Sequence, residues 1–549
     1  MKNTDCIFQK NGMLWLFCLI IGCLSLTSCD NILNIDSPRY VSDEDNSLSA
    51  PGDSVSSILG VLRQLQDVAE SYILLGEMRA DLLDVTEYTP AAIRELNDYT
   101  LSDTNTYVDP LPYYAIVNNC NYIISRTGDV ENPLYKEHAL ARAIRAWTYM
   151  QIAFNWGKAV YVTEPMLSVE DTEKDYPEYD IPQLIDALIA DLEPFVDAIY
   201  PNYATIYAFT STQMFFPMRV LLGDLYLWRG ASTADYEQAA TYYAEYLDTQ
   251  QTGMTNTPPS IRWTYDNFTT AGFENATPRD SWTQVTYASS GNRELITAIQ
   301  MATTRSEGKT CTLRDNYQYF GISPTLTDLW DAQTYVLHYQ PEGGGSPVDY
   351  FTTGDCRKYG NIAGTVRLED ETTISALTKI MMLSHVMLYR QGLIWLRYAE
   401  AVNRAGQPQA AFAVLKYGLN PLTFTIFNAP EWQGVPYITV FNAPKYENSE
   451  GIHARGCGNS YYDPYYLIGD STMTTLNDTI LNVERLICNE LAMETSFEGN
   501  RMQDLIRMAL RRNDADFLAT RIAAKHPADY NRIYNLLRDR KNWFLPEPK

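Results

Sequence analysis

The chain has 549 residues and carries 67 Asp and Glu against 42 Lys and Arg, a formal charge of −25. So acidic a surface repels phosphate backbones, which argues against nucleic acid as a partner, and it offers anionic lipid no electrostatic attraction. Nine cysteines without a C-x-x-C pair do not make a disulfide framework in a chain of this length.

Lys2 and Lys10 precede an apolar run from Met13 to Leu26 that is too short to cross a bilayer as a helix. Residues 1–28 therefore read as a signal peptide, and their loss takes the charge from −25 to −26. The run ends Leu26-Thr27-Ser28-Cys29, which resembles the bacterial lipobox. Cleavage would leave Cys29 first, with a diacylglycerol on its thiol and a further acyl chain on the new amino group. Several chains hold a protein on a membrane where one holds it only marginally. Residues 29–53 are polar, with Asp43-Glu44-Asp45-Asn46 and a Pro51-Gly52 stop, and read as a lipidated tether to the body. No later apolar run has membrane-spanning length.

A first helix is predicted over Val55–Leu75, leading into Gly76-Glu77-Met78-Arg79-Ala80-Asp81. Its charges would be costly to bury unpaired, so Glu77, Arg79 and Asp81 are expected to pair with each other or with backbone at a helix end. Tyr113–Ile124 and Glu137–Phe154 form the next hairpin, the second helix carrying Ala139, Ala143, Ala146, Met150 and Ala153 on one face. A further helix spans Ile181–Tyr200, opened by Pro182, whose missing N–H is harmless in a first turn. The hairpin at Pro217–Leu247 contains Leu222-Gly223-x-x-Tyr226, part of the tetratricopeptide signature, with Ala239, Ala240, Tyr243 and Leu247 on the returning helix.

The same interval recurs from Leu388 to Gly418. Apolar or small residues fall at Leu388, Gly392, Trp395, Ala399 and Val402, Gly406-Gln407-Pro408 breaks the helix, and Ala410, Ala411, Val414 and Leu415 begin a second face. Small Ala399 and Ala411 let the two backbones approach, and a hairpin with two apolar sides must stack on neighbours. The fold expected is mainly α, a tetratricopeptide-like helical-repeat scaffold with a large irregular, loop-rich insertion, as one body over 54–549. Its repeats cover about 55–249 and 379–419, its irregular insertions about 250–378 and 420–478, and its C-terminal helices 479–540. Ordinary amphipathic helices of an unrelated α-rich fold would give the same periodicity, and that alternative stays open here.

The two irregular stretches are rich in aromatics, with Trp263, Tyr265, Trp282, Tyr287 and Trp330 in the first, and Trp432, Tyr437 and Tyr461-Tyr462-Asp463-Pro464-Tyr465-Tyr466 in the second. Loops held by a rigid frame are where binding residues concentrate. Trp147, Trp228 and Trp395 fall on helix faces and belong to the core. Cys120 and Cys488 lie in helical patterns and are expected as buried thiols, with room left for one disulfide in the chain.

Catalytic signatures are poor. Gly308-Lys309-Thr310 has Thr303 where a phosphate loop needs glycine, and neither H-E-x-x-H nor G-x-S-x-G occurs. The five histidines are far apart. His453-Ala454-Arg455-Gly456-Cys457-Gly458 reads as a tight loop with a structural Arg rather than a zinc site, so no metal and no cofactor are expected. A glycosidase carboxylate pair leaves no spacing rule in a sequence, so a glycoside hydrolase stands as the alternative from another class.

The last helical section carries Glu484-Arg485, Glu490-Leu491, Phe497-Glu498-Gly499-Asn500-Arg501 and Asp504-Leu505-x-Arg507. Together with the lipobox, Gly76-Glu77-x-Arg79-x-Asp81, Tyr398-Ala399-Glu400-Ala401-x-Asn403-x-x-Gly406 and the terminal Phe544-Leu545-Pro546-Glu547-Pro548, this order of motifs resembles the SusD/RagB family of outer-membrane lipoproteins. Two features depart from the family: Met502 stands where an aromatic is common, and the ending is shortened to Pro546-Glu547-Pro548-Lys549. The resemblance implies a surface-exposed lipoprotein, anchored in outer-membrane lipid through acylated Cys29. It would bind oligosaccharides without catalysis and deliver them to a SusC-like TonB-dependent transporter on which it docks as a lid; a peptide-capturing member is the alternative. A sugar site needs flat aromatics for stacking and polar groups for hydroxyls. Trp263, Tyr265 and Trp282 are the candidates in the insertion, joined by Tyr88 because the loop after the first helix borders the ligand site in that family.

Overall fold

Small residues set where the helices meet. At Gly223 an added Cβ would lie 2.6–2.9 Å from the ring of Tyr243, so only glycine leaves room for the returning helix. The computed structural model describes residues 51–128, 131–206, 209–249, 294–368, 371–381 and 384–546, with side chains from residue 57 onward apart from 363–365 and 367. All of them fall in the unit that begins at Pro51. In chain order come α1 (Pro51–Glu77), β1 (Leu83–Val85), α2 (Ala91–Asp98), α3 (Leu111–Thr127), α4 (Tyr135–Trp156), α5 (Ile181–Leu192), α6 (Met218–Arg229) and α7 (Thr233–Thr249). Strands follow: β2 (Leu295–Gln300), β3 (Phe320–Ile322), β4 (Thr334–Tyr339), β5 (Val348–Thr353), β6 (Ile362–Arg367), β7 (Thr373–Leu377) and β8 (His385–Arg390). The chain then returns to helix with α8 (Gln391–Arg404), α9 (Pro408–Lys416), α10 (Leu476–Thr495), α11 (Arg501–Arg512), α12 (Ala515–Ala524) and α13 (Tyr530–Leu537).

Each helix from α3 to α9 packs on the next, so the array continues from α7 straight to α8 although 141 positions separate Thr249 from Gln391 in number alone. Helix α10 packs on both α8 and α9, and α11 packs on α1. This is the mainly helical repeat scaffold that the spacing predicts, with each hairpin burying its second apolar side on a neighbour. Ala399 and Ala411 are fully buried between α8 and α9, and Trp147, Trp228 and Trp395 are buried as expected. Phe154 of α4 stacks on Trp228 of α6 with centroids 3.8 Å apart and planes at 12°. Cys120, Cys311, Cys356, Cys457 and Cys488 are all free and buried, as small apolar side chains.

Four expectations are corrected. Helix α5 opens on Asp180, whose side chain accepts from Gln183 N–H in a capping box, with Pro182 in the first turn; it ends at Leu192 instead of Tyr200. Pro194 has no N–H to continue the ladder, and Glu193–Phe195 tightens into a 3-10 turn. Leu388 does not begin the α8 face. It lies in β8, at an irregularity where Met387 pairs with Ala298 and Tyr389 with Thr297, leaving Leu388 itself unpaired in the register. Every residue of β8 is buried, so its apolar run has no period to betray a strand.

The described part of the first insertion, 294–378, is not irregular. Pairs β1–β3, β2–β8, β4–β5 and β6–β7 are all antiparallel and two-stranded. The β4–β5 hairpin runs from Thr334 opposite Thr353 to Tyr339 opposite Val348, and Gly343 and Gly344 take φ of 101° and 87° between them. Trp330 and Trp432, grouped with loop aromatics by sequence, are core residues at 0% and 1% exposure. From 420 to 478 the chain turns through short helices such as Pro421–Phe427, Pro436–Thr439 and Pro444–Tyr446, each with Pro in its first turn.

Candidate ligand-binding surface

The charged motifs come first, because they decide which acids are spent on structure. Glu77 at the end of α1 accepts N–H bonds from Gly499 at 2.8 Å and Phe497 at 3.2 Å. Gly76 lies so close to the Gly499 carbonyl that a Cβ there would overlap it. Phe497 and Gly499 have φ of 69° and 92°, and in this turn both of their N–H groups reach the one carboxylate. Asp81 pairs with Arg501, and Arg79 donates to the Trp543 carbonyl. The charges are thus paired as expected, but with the far end of the chain and not with each other.

A second buried network joins β8, α10 and the segments around them. Arg357 binds Asp355 at 2.6 Å, Glu494 at 3.0 Å and Glu490 at 3.1 Å; Arg390 binds Glu294 and Glu494 at 2.8 Å and Glu498 at 2.9 Å. Arg455 reaches Glu294 and Glu494, Lys379 donates to Glu498 at 2.5 Å, and His453 Nδ1 lies 2.6 Å from Glu490. Gly392 is required here, since a Cβ would meet Arg390, Glu494 and Arg455 at 2.5–2.9 Å. Burial opposes ionisation of Glu490 and Glu494, yet the surrounding guanidinium groups hold both below the usual carboxylate range. Acids so committed have no lone pair or proton to offer a substrate. The Arg in His453–Gly458 is structural, and among the described residues no three His, Cys, Asp or Glu are grouped to hold a metal.

The surface around Tyr88 is different. Strand β1 pairs with β3, Leu83 opposite Ile322 and Val85 opposite Phe320, which brings the loop after β1 against Tyr317–Tyr319. Thr86 Oγ1 donates to Gln318 O and Thr89 Oγ1 to Tyr319 O, both at 2.6 Å, while Arg94 Nε donates to Thr89 O at 2.9 Å. Side chains thus do for this loop what a ladder does for a sheet. The loop holds Tyr88 half-buried, its phenol oxygen 2.5 Å from Thr372 Oγ1 in the turn between β6 and β7. Tyr107 and Tyr319 are half-buried, and the Tyr107 phenol is raised by partial burial and by Glu70 and Tyr319 nearby. Ring faces with hydroxyl rims, fixed on a rigid frame, suit a ligand that is apolar on its faces and polar at its edges.

Sequence reasoning singled out Tyr88 but not Tyr107 or Tyr319, which no period or motif marks; the β1–β3 pairing brings Tyr319 to this loop. Trp263, Tyr265, Trp282 and Tyr287 lie outside the described residues, as does Cys29. A second group of exposed rings comes from the other irregular stretch, where Tyr462 stacks on His338 at 3.8 Å and Phe351 meets Tyr465 edge-on at 6.3 Å.

No protein-family model matches the chain. SusD-like protein P38 of Formosa agariphila is 21% identical over 435 residues, which cover 73% of this chain and 80% of that protein. Among solved structures, a SusD homolog from Bacteroides thetaiotaomicron superposes with a TM-score of 0.54 at 15% identity, covering 89% of this chain and 91% of that one. B. fragilis NanU superposes with a TM-score of 0.51 at 18% identity, covering 88% and 95%. At such identities the structural likeness is one of fold. The mainly helical array matches these structures along nearly the whole length of the chain, and its fold is SusD-like.

Proposed function

We propose that this protein captures oligosaccharides at an exposed aromatic surface and passes them to a SusC-like TonB-dependent transporter, itself moored to the outer face of the outer membrane by acyl chains on Cys29. The observation that carries the reading is the SusD-like fold along nearly the whole chain, with a half-exposed tyrosine held rigidly where the loop after the first helix ends. In this reading Trp263, Tyr265 and Trp282 provide stacking faces as Tyr88 does. Binding without catalysis is supported by the chemistry of the acids: the Glu77 and Glu484 carboxyls are pushed up by burial but lie inside the protein, at 0% and 1% exposure. A general acid has to reach its substrate.

The mature chain is tested on a glycan array beside a peptide library, with products analysed after incubation. Retention of a glycan without cleavage is expected. Retention of peptides alone would establish the peptide-capturing reading instead, and release of shortened sugars would establish a glycoside hydrolase. Intact mass of the membrane-extracted protein should show Cys29 as the first residue, carrying acyl chains; a free N-terminus without lipid would remove the anchor.

A further inference from the structure

We propose that a single buried water molecule, bound by Arg397 and Asn500, fills the polar cavity where the first helix, the repeat array and the C-terminal helices meet. The cavity lies among α1, α4, α6, α8 and α11, has room for one water, and is lined more by polar than by apolar atoms. Arg397 and Asn500 are 5% and 3% exposed. Arg397 donates through Nη1 to Asp224 Oδ2 at 2.5 Å and through Nη2 to Asn500 Oδ1 at 3.1 Å, while its Nε–H has no partner among the described residues. Asn500 Nδ2 likewise has none.

Turning the Asn500 amide over does not solve this. Its Oδ1 accepts from Arg397 Nη2 at 3.1 Å, and a guanidinium can only donate, so exchanging oxygen for nitrogen would set donor against donor. Two orphan N–H groups on adjacent side chains call for one acceptor with two lone pairs, and water has two. Its own hydrogens then need acceptors, and Gln503, which lines the same cavity with its Nε2 engaged to Gln151 Oε1 at 2.7 Å, has a side-chain oxygen that can accept. An anion is the other acceptor of this size. The Asp224 carboxylate already neutralises Arg397 and takes bonds from Tyr389 at 2.7 Å and Tyr243 at 2.5 Å, so a further negative charge would face a like charge in a dry interior. A neutral molecule satisfies the donors without that repulsion.

The test is a crystal structure of the mature chain at a resolution that shows ordered solvent, with a second crystal soaked in bromide. We expect a water peak within about 2.7–3.2 Å of both Arg397 Nε and Asn500 Nδ2, and no anomalous signal there after the soak. A bromide peak at the position would replace the water by an anion. Both donors turned onto protein acceptors, with the cavity closed, would overturn the proposal outright.

Discussion

Asp81 and Arg501 stand 420 residues apart in the chain and meet in a two-bonded ion pair, Nε to Oδ1 at 2.7 Å and Nη2 to Oδ2 at 2.8 Å, with both side chains out of water. Arg501 also donates to the Cys488 carbonyl at 2.8 Å, so one guanidinium joins the end of α1 to α10 and the start of α11. Removing one partner leaves the other charge buried and uncompensated. Asp81→Ala should therefore cost about 3–5 kcal/mol in urea unfolding, whereas Asp81→Leu combined with Arg501→Met should cost distinctly less than twice that. A loss under 1 kcal/mol for Asp81→Ala would mean that the pair does not hold the ends together.

Glu77 should make stability depend on pH near neutrality. Burial raises its carboxyl from 4.5 to about 7, against the pull of the Gly499 and Phe497 N–H groups, with Arg501 and Glu498 the nearest charges. The folded state then keeps a proton that the unfolded chain releases, so the contribution is full below pH about 4.5 and is lost as pH rises through about 7. The unfolding free energy of the parent minus that of Glu77→Gln should fall by on the order of 2–3 kcal/mol between about pH 5 and pH 8. A difference that stays flat with pH counts against a raised Glu77.

Gly76 faces backbone, not a side chain that could swing away. Gly76→Ala places a Cβ on the Gly499 carbonyl and should cost at least the upper part of the usual range of about 1–3 kcal/mol for overpacking. Gly343→Ala, where nothing lies within 4 Å but φ is 101°, is the control for backbone strain alone. Equal losses in chemical denaturation would show that contact with Gly499 is not what Gly76 provides.

Tyr88 is predicted to contact ligand while contributing little to the fold. Tyr88→Ala should weaken the oligosaccharide retained on the array by about 2- to 10-fold, the effect of one aromatic contact of about 0.5–1.5 kcal/mol, with the melting temperature little changed. Titration calorimetry reads the first and thermal scanning the second. Unchanged affinity would move the site away from this loop.

The helical part of the fold is legible because a buried helix face repeats every three or four residues, and because glycine and proline punctuate it: Gly406-Gln407-Pro408 separates α8 from α9 where the spacing says it should. Strands β2 to β8 escaped the same reading. Each is three to six residues long and pairs with a single neighbour, and the buried β8 offers only an apolar run that flows into α8. Trp330 and Trp432 were misplaced for a related reason, since lack of helical period says nothing about burial.

Composition and local pattern by themselves determined the mainly helical class, the hairpins, the buried tryptophans of the helix faces and the need for Glu77, Arg79 and Asp81 to find partners. Which partners they found was decided only by the tertiary structure. An ion pair or a Gly–Gly contact works through distances of a few ångströms in space, while the chain separates those same groups by more than 400 positions, and no periodicity carries information across that gap. Tyr319 came to the Tyr88 loop in the same way, through the pairing of two three-residue strands that were each too short to be read alone.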